Sequence, residues 1–147
     1  MPDEPFTLQF HQSLDGRVPA REWMRRLPSH KRRALAAALH LVLATHGLGV
    51  CATPYGRQLG RGLFEFRLDE DEATLCRKWG AKAIPPTAPP SSGGRILLRI
   101  FCHATGARVI LILEGYDKGK DPSPRRQQRE IARARAHLND FRARKAR

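Results

Sequence analysis

The chain is short of acid: 14 aspartates and glutamates stand against 27 lysines and arginines in 147 residues, a formal net charge of +13. Cysteine is equally scarce. Cys51, Cys76 and Cys102 are far apart, odd in number and without a Cys-x-x-Cys pair, which argues against a secreted disulfide framework and for a reducing compartment. No uninterrupted apolar run approaches the roughly 20 residues that span a bilayer, and the first ten residues have no basic segment followed by an apolar one. A soluble, cytoplasmic protein with no membrane partner is therefore expected. Internal repeats are missing as well. The length suits a single domain over residues 1–147, enough for one core and too little for two.

What is present in excess is cation. A basic surface of this size points to a polyanion, and nucleic acid fits first because phosphate contacts release condensed counterions. An anionic membrane surface or an acidic protein would match the same number.

Apolar periodicity places the elements. Phe6-Thr-Leu-Gln-Phe-His11 alternates with period two and predicts a strand. Pro19 suits the first turn of a helix that carries Trp23, Met24 and Leu27. Ser29 is the expected N-cap of a second helix, with Leu35, Leu39, Val42 and Leu43 at helical spacing and Gly47 as its stop. Residues 47–62 are glycine-rich and read as irregular. Leu63 to Leu68 reads as a strand with Phe64, Phe66 and Leu68 on one side and Glu65 and Arg67 on the other. Residues 69–95 open acidic and close in Pro85-Pro-Thr-Ala-Pro-Pro-Ser-Ser-Gly-Gly94, the composition of a flexible insertion.

The strongest local signal is the stretch from Gly94 to Lys120, two β-branched runs around Ala104-Thr-Gly106, which predicts a β-hairpin. Arg99 lies inside the first run, where an unpaired charge costs several kcal/mol. It therefore needs a carboxylate or a ligand. A basic helix is expected over 123–145, with Ser123 as N-cap, Pro124 in the first turn, and Ile131, Ala134, Leu138 and Phe141 as its buried stripe.

This order, β-α-α-β-β-β-α, gives an α+β fold, a small antiparallel sheet packed against a helical hairpin and a basic C-terminal helix. With Gly62-Leu-Phe-Glu-Phe-Arg67, Ile96-Leu-Leu-Arg99-Ile-Phe101 and Leu111-Ile-Leu-Glu-Gly-Tyr116-Asp-Lys118-Gly-Lys120, followed by Gln127-Gln-Arg-Glu-Ile131, it resembles the RelE/ParE-like superfamily of bacterial toxins. The likeness is to its HigB-type branch, which includes phage-derived members. The resemblance covers roughly residues 55–141 and departs from the family at 69–95, where a short turn is usual.

The resemblance implies a RelE-like fold and a toxin that cleaves messenger RNA on the ribosome without a metal or other cofactor. It also implies a cognate antitoxin, of helix-turn-helix type, as partner. Such cleavage needs a base for the ribose 2′-hydroxyl, cations for the phosphorane charge and a donor for the leaving 5′ oxygen. Arg67 and Arg99 are the candidate phosphate clamps, because their planar forks match non-bridging oxygens. Lys118 is the candidate base, Lys120 its support, and Tyr116 a stacking platform or proton donor. His103 is a further acid/base candidate, and Glu65 and Glu114 are expected to orient the cations. Arg108, Arg125, Arg126 and Arg129 are expected to bind RNA.

Plain roles compete with each of these. Arg67 and Arg99 could be cross-strand salt bridges, the lysines solvated turn residues, and Tyr116 a half-buried strand end. His11, His30, His40, His46 and His137 read as surface or packing residues. Cys102-His103 has no second ligand pair at zinc spacing. Two other functions remain open on the same pattern, a ParE-like gyrase poison that cuts nothing and a basic nucleic-acid-binding protein.

Overall fold

A computed structural model of the protein describes residues 5–80 and 96–146. Five strands form one mixed sheet: β1 (Thr7–Phe10), β2 (Gly56–Gly60), β3 (Leu63–Leu68), β4 (Leu98–Thr105) and β5 (Val109–Asp117), in the spatial order β1-β5-β4-β3-β2. β1 runs parallel to β5 and the other pairs are antiparallel. The class is thus α+β as expected, but the sheet is mixed rather than purely antiparallel. It also gains β2, which residues 47–62 were too rich in glycine to announce.

Helices cover both faces. On one side lie α1 (Pro19–Arg26) and α2 (Ser29–Ala38), the latter continuing through a π turn, Leu39–Leu43, into a short α3 (Ala44–His46). Leu35, Leu43, Phe64, Phe66, Leu98 and Ile100 are completely or almost completely buried in this layer. Pro28, not Ser29, occupies the N-cap of α2, so the expected side-chain cap is not made. Gly47 does end the helix, at φ +53 and in space where a Cβ would strike the Phe6 ring. The helical stretch Ser29–Ala52 is long and apolar enough to cross a membrane, which the sequence pattern did not suggest. Here its apolar side is spent on the sheet.

The opposite face is covered by α5 (Pro124–Lys145), which buries Ala134 and Leu138 against Leu63, Phe101, Leu111 and Leu113. Ser123 caps it by accepting from the Arg126 amide at 3.2 Å, with Pro124 in the first turn, as its sequence predicts. The segment 69–95 is not wholly an insertion without structure. Asp71 accepts the Thr74 amide at 2.8 Å and starts α4 (Glu72–Lys78), which packs on α2. The Pro/Ser/Gly part, residues 85–94, lies outside the described residues.

One irregularity in β5 decides what faces α5. Phe101 pairs with Glu114 and Cys102 with Ile112, leaving Leu113 as an extra residue in the ladder. A bulge of this kind re-aims the side chains that follow. Ile110 and Ile112 point to the helical hairpin and Leu111 and Leu113 to α5. Beyond the bulge the parity is reversed. Gly115 meets Trp23 of α1, so closely that a Cβ would collide with the indole, and Asp117 meets Lys31 of α2. Tyr116 consequently joins the α5 face.

Candidate functional site

Across β3, β4 and β5 the register aligns Arg67, Arg99 and Tyr116 in one row on the α5 face. A second row beside it aligns Arg57, Glu65, Phe101 and Glu114. Like charges directly opposite one another destabilise a sheet, so the Arg67–Arg99 pairing requires compensation. Each guanidinium has its own carboxylate. Arg99, 3% exposed, donates from Nη1 to Asp69 Oδ1 at 2.6 Å and to the Leu98 carbonyl at 2.9 Å. Arg67 stands 3.4 Å from the fully buried Glu65 carboxylate, without hydrogen-bond alignment, and keeps a third of its side chain exposed.

Glu65 is the hub of the cluster. Arg57 approaches it at 4.0 Å from β2, and Gln127 Nε2 donates to it at 3.2 Å from the second turn of α5. Tyr116 is 1% exposed, its ring stacked parallel to Phe101 with centroids 6.1 Å apart, and the Arg126 guanidinium sits 5.4 Å above it. Its hydroxyl has no hydrogen-bond partner among the described residues. Burial pushes the phenol above its ordinary value of 10 and the Glu65 carboxylate adds to this, while Arg99 and Arg126 pull against them. Tyr116 is therefore a protonated O–H donor at neutral pH. Arg126 is held in turn by Glu130 at 3.4 Å and Asp121 at 3.9 Å.

Lys118 and Lys120 follow β5 in a turn that Asp117 pins. Its carboxylate accepts the Gly119 amide at 3.0 Å and its carbonyl the Lys120 amide at 3.2 Å. Asp117 is fixed by Lys31 at 2.5 Å, both side chains being at most a tenth exposed. Lys118 is half-buried and Lys120 exposed, with no carboxylate partner for either among the described residues. Arg125 and Arg129 stand exposed on the first two turns of α5.

Other expected members are elsewhere. Arg108 lies at the tip of the β4–β5 hairpin, its guanidinium 4.3 Å from the Phe6 ring centroid. Eight residue steps along β5 separate it from Tyr116, roughly 26 Å. His103 contacts the Gly62 carbonyl at 2.8 Å and packs edge-on against Phe141, a structural position. The Glu114 carboxylate, expected to orient an arginine, instead meets His137 at 3.2 Å.

Three groups of the site were not expected from the sequence. Asp69 pairs with Arg99, Gln127 reaches Glu65, and Glu130 anchors Arg126. Glu130 did carry a signal, since it is an isolated acid spaced i+4 from Arg126 and i−3 from Arg133 in an arginine-rich helix. Asp69 did not, because its partner lies 30 residues away.

Fold and site together define an α+β protein whose mixed sheet presents an arginine–tyrosine row, buried at Arg99 and Tyr116 and half-exposed at Arg67, beneath the start of a basic helix. Compared with known proteins, the chain matches no family model and no curated protein.

Proposed function

We propose that this chain is the toxin of a type II toxin–antitoxin system, on a RelE-like fold of the HigB-type branch, and that it cleaves messenger RNA on the ribosome. The observation that carries the reading is the cross-strand row Arg67–Arg99–Tyr116, in which two adjacent cations and a protonated phenol share one face. A phosphorane with a departing alkoxide asks for this combination. The order of the strands and of the flanking helices supports the reading, as does the exposed Arg125, Arg129, Lys118 and Lys120 rim.

In this mechanism the ribose 2′-oxygen attacks its own 3′-phosphate, and the P–O bond to the next nucleotide's 5′-oxygen breaks as the new one forms. The products are a 2′,3′-cyclic phosphate and a 5′-hydroxyl. Lys118, in the turn that follows β5, is the base that takes the 2′ proton. Tyr116 gives its proton to the leaving oxygen. Arg67 holds the non-bridging oxygens, and Arg99 joins it when Asp69 lets go. Access to the Tyr116 hydroxyl requires Arg126 to move off the ring.

One feature favours the ParE-like alternative. Arg99 is 3% exposed and its Nη1 is already paired with Asp69, as in a structural pair. The discriminating experiment is mapping of transcript 5′ ends after induced expression, beside Arg67→Ala and Lys118→Ala. New 5′-hydroxyl ends inside translated frames, lost in both variants, support the nuclease. Intact transcripts with broken chromosomal DNA would reject it in favour of gyrase poisoning.

A further inference from the structure

The consecutive acids Asp69, Glu70 and Asp71 are sent to three different partners. Glu70 accepts from the Tyr55 hydroxyl and from the Lys78 ammonium, and Asp71 caps α4 through the Thr74 amide at 2.8 Å. Trp79 Nε1 donates to the Tyr55 oxygen at 3.2 Å and ties the end of α4 to the same tyrosine. Asp69 stands between the end of β3 and this anchored turn, two residues beyond Arg67 and therefore diagonal to Arg99 on the same face. Diagonal neighbours in an antiparallel pair are within reach of long side chains. Asp69 is held over Arg99 by the fold on either side of it.

The two members of this pair are unequally buried. The Arg99 side chain is 3% exposed and that of Asp69 53%, so the carboxylate is the outer member and returns to water at little cost. Lys31 and Asp117 show the other arrangement, with neither side chain more than a tenth exposed. There the departure of either partner strands a buried charge. In the Arg99–Asp69 pair only the arginine is stranded, so Asp69 leaves readily when another anion takes its place.

The surroundings of Arg99 suit such an anion. Arg67 stands directly across from it in the register, a like-charge pair that Asp69 relieves on the Arg99 side. Arg99 Nε and the Tyr116 hydroxyl, in side chains 3% and 1% exposed, have no hydrogen-bond partner among the described residues. Buried donors without partners are uncommon in folded proteins and call for acceptors. A phosphodiester brings several acceptor oxygens to this row, whereas the Asp69 contact joins Oδ1 to Arg99 Nη1 at 2.6 Å.

We propose that Asp69 is a built-in gate on the site: its carboxylate occupies the place of a strand phosphate on Arg99, and a strand binds fully only by displacing it. The gate rests on the reading of Arg67 and Arg99 as phosphate clamps and adds the regulation of that site. Opening takes a rotation of the Asp69 side chain into water, while Glu70 and Asp71 keep α4 seated. The apparent affinity for a strand is then its intrinsic affinity multiplied by the fraction of molecules in which Arg99 is free.

The test is binding of a 2′-O-methyl hexanucleotide, which cannot be cleaved, to the full chain at one fixed salt concentration, read by fluorescence anisotropy. Asp69→Asn is expected to bind it about tenfold more tightly than the parent. Glu72→Gln, the same charge change three residues on, is expected to stay within about twofold of the parent. In an Arg99→Gln background Asp69→Asn should bring no gain, because the gate acts through Arg99. A second measurement leaves Arg99 in place: inorganic phosphate is expected to raise the melting temperature of Asp69→Asn more than that of the parent. The proposal is overturned if Asp69→Asn binds no more tightly, if Glu72→Gln gains as much, if the gain survives without Arg99, or if phosphate stabilises both proteins equally. Arg67→Gln separates the two readings. Weaker binding by that variant, with no gain in Asp69→Asn, removes the gate and keeps the clamp; parent-like binding removes the clamp and the gate with it.

Discussion

Tyr116 separates a catalytic phenol from a packing one. Its hydroxyl is buried and has no partner among the described residues, and such a group costs about 1–3 kcal/mol. Tyr116→Phe keeps the stack on Phe101 and removes only that cost. The variant is expected to be at least as stable as the parent by chemical denaturation while losing growth inhibition; a stable variant that remains fully toxic would exclude Tyr116 as proton donor. His11 gives a second residue-level outcome. Its folded pKa is depressed, so just below 6.5 the unfolded chain binds a proton that the folded chain refuses. Stability therefore falls as pH drops through 6.5 and stops falling below the folded value. His137, Arg144, Asp140 and Glu114 all face the ring, so the comparison must be with His11→Gln. The melting temperature of the parent is expected to fall more steeply between pH 7 and pH 5 than that of the variant.

At the level of elements, the buried Lys31–Asp117 pair is the joint between α2 and the turn that carries Lys118 and Lys120. Breaking such a pair from one side leaves an uncompensated charge and costs about 3–5 kcal/mol. Lys31→Met is expected to destabilise by that order in a denaturant titration. Lys31→Met with Asp117→Asn should recover much of the loss, because Asn still accepts the Gly119 amide without a charge. This joint was not legible in the sequence, where 86 residues separate its members. The strands with clean alternation were legible: β3 shows Phe64, Phe66 and Leu68 opposite Glu65 and Arg67, and the β4–β5 hairpin follows its β-branched runs. β2 was hidden because Gly56 and Gly60 dilute its pattern, and α4 because its acidic start resembles a solvated linker. The parallel seating of β1 depends on a long-range choice of neighbour that alternation cannot express. Tyr116 lay on the expected site, but the bulge at Leu113 that turns it there leaves no mark on local periodicity. Arg99's need for a carboxylate could be argued from burial alone; that the carboxylate is Asp69 could not.

For the whole molecule, the excess of 27 basic over 14 acidic residues sets how binding depends on salt rather than which fold forms. Internal pairs absorb several of these charges, including Lys31, Arg67, Arg99, Arg126 and Arg144. Arg125 and Arg129, exposed at the start of α5 with no ion-pair partner among the described residues, remain free to meet phosphate. If they line the path of a single strand beside Tyr116, each phosphate contact contributes about 0.7 to the slope of log affinity against log salt. Titrating a labelled single-stranded RNA at several salt concentrations is expected to show a steep slope for the parent. Arg125→Gln with Arg129→Gln should reduce it by about 1.4 for two lost contacts. Arg61→Gln, on the β2–β3 turn beyond the other end of α5, should leave it unchanged. Equal reductions from both changes would mean that the chain attracts RNA through its overall charge, with no strand path defined by the first turns of α5.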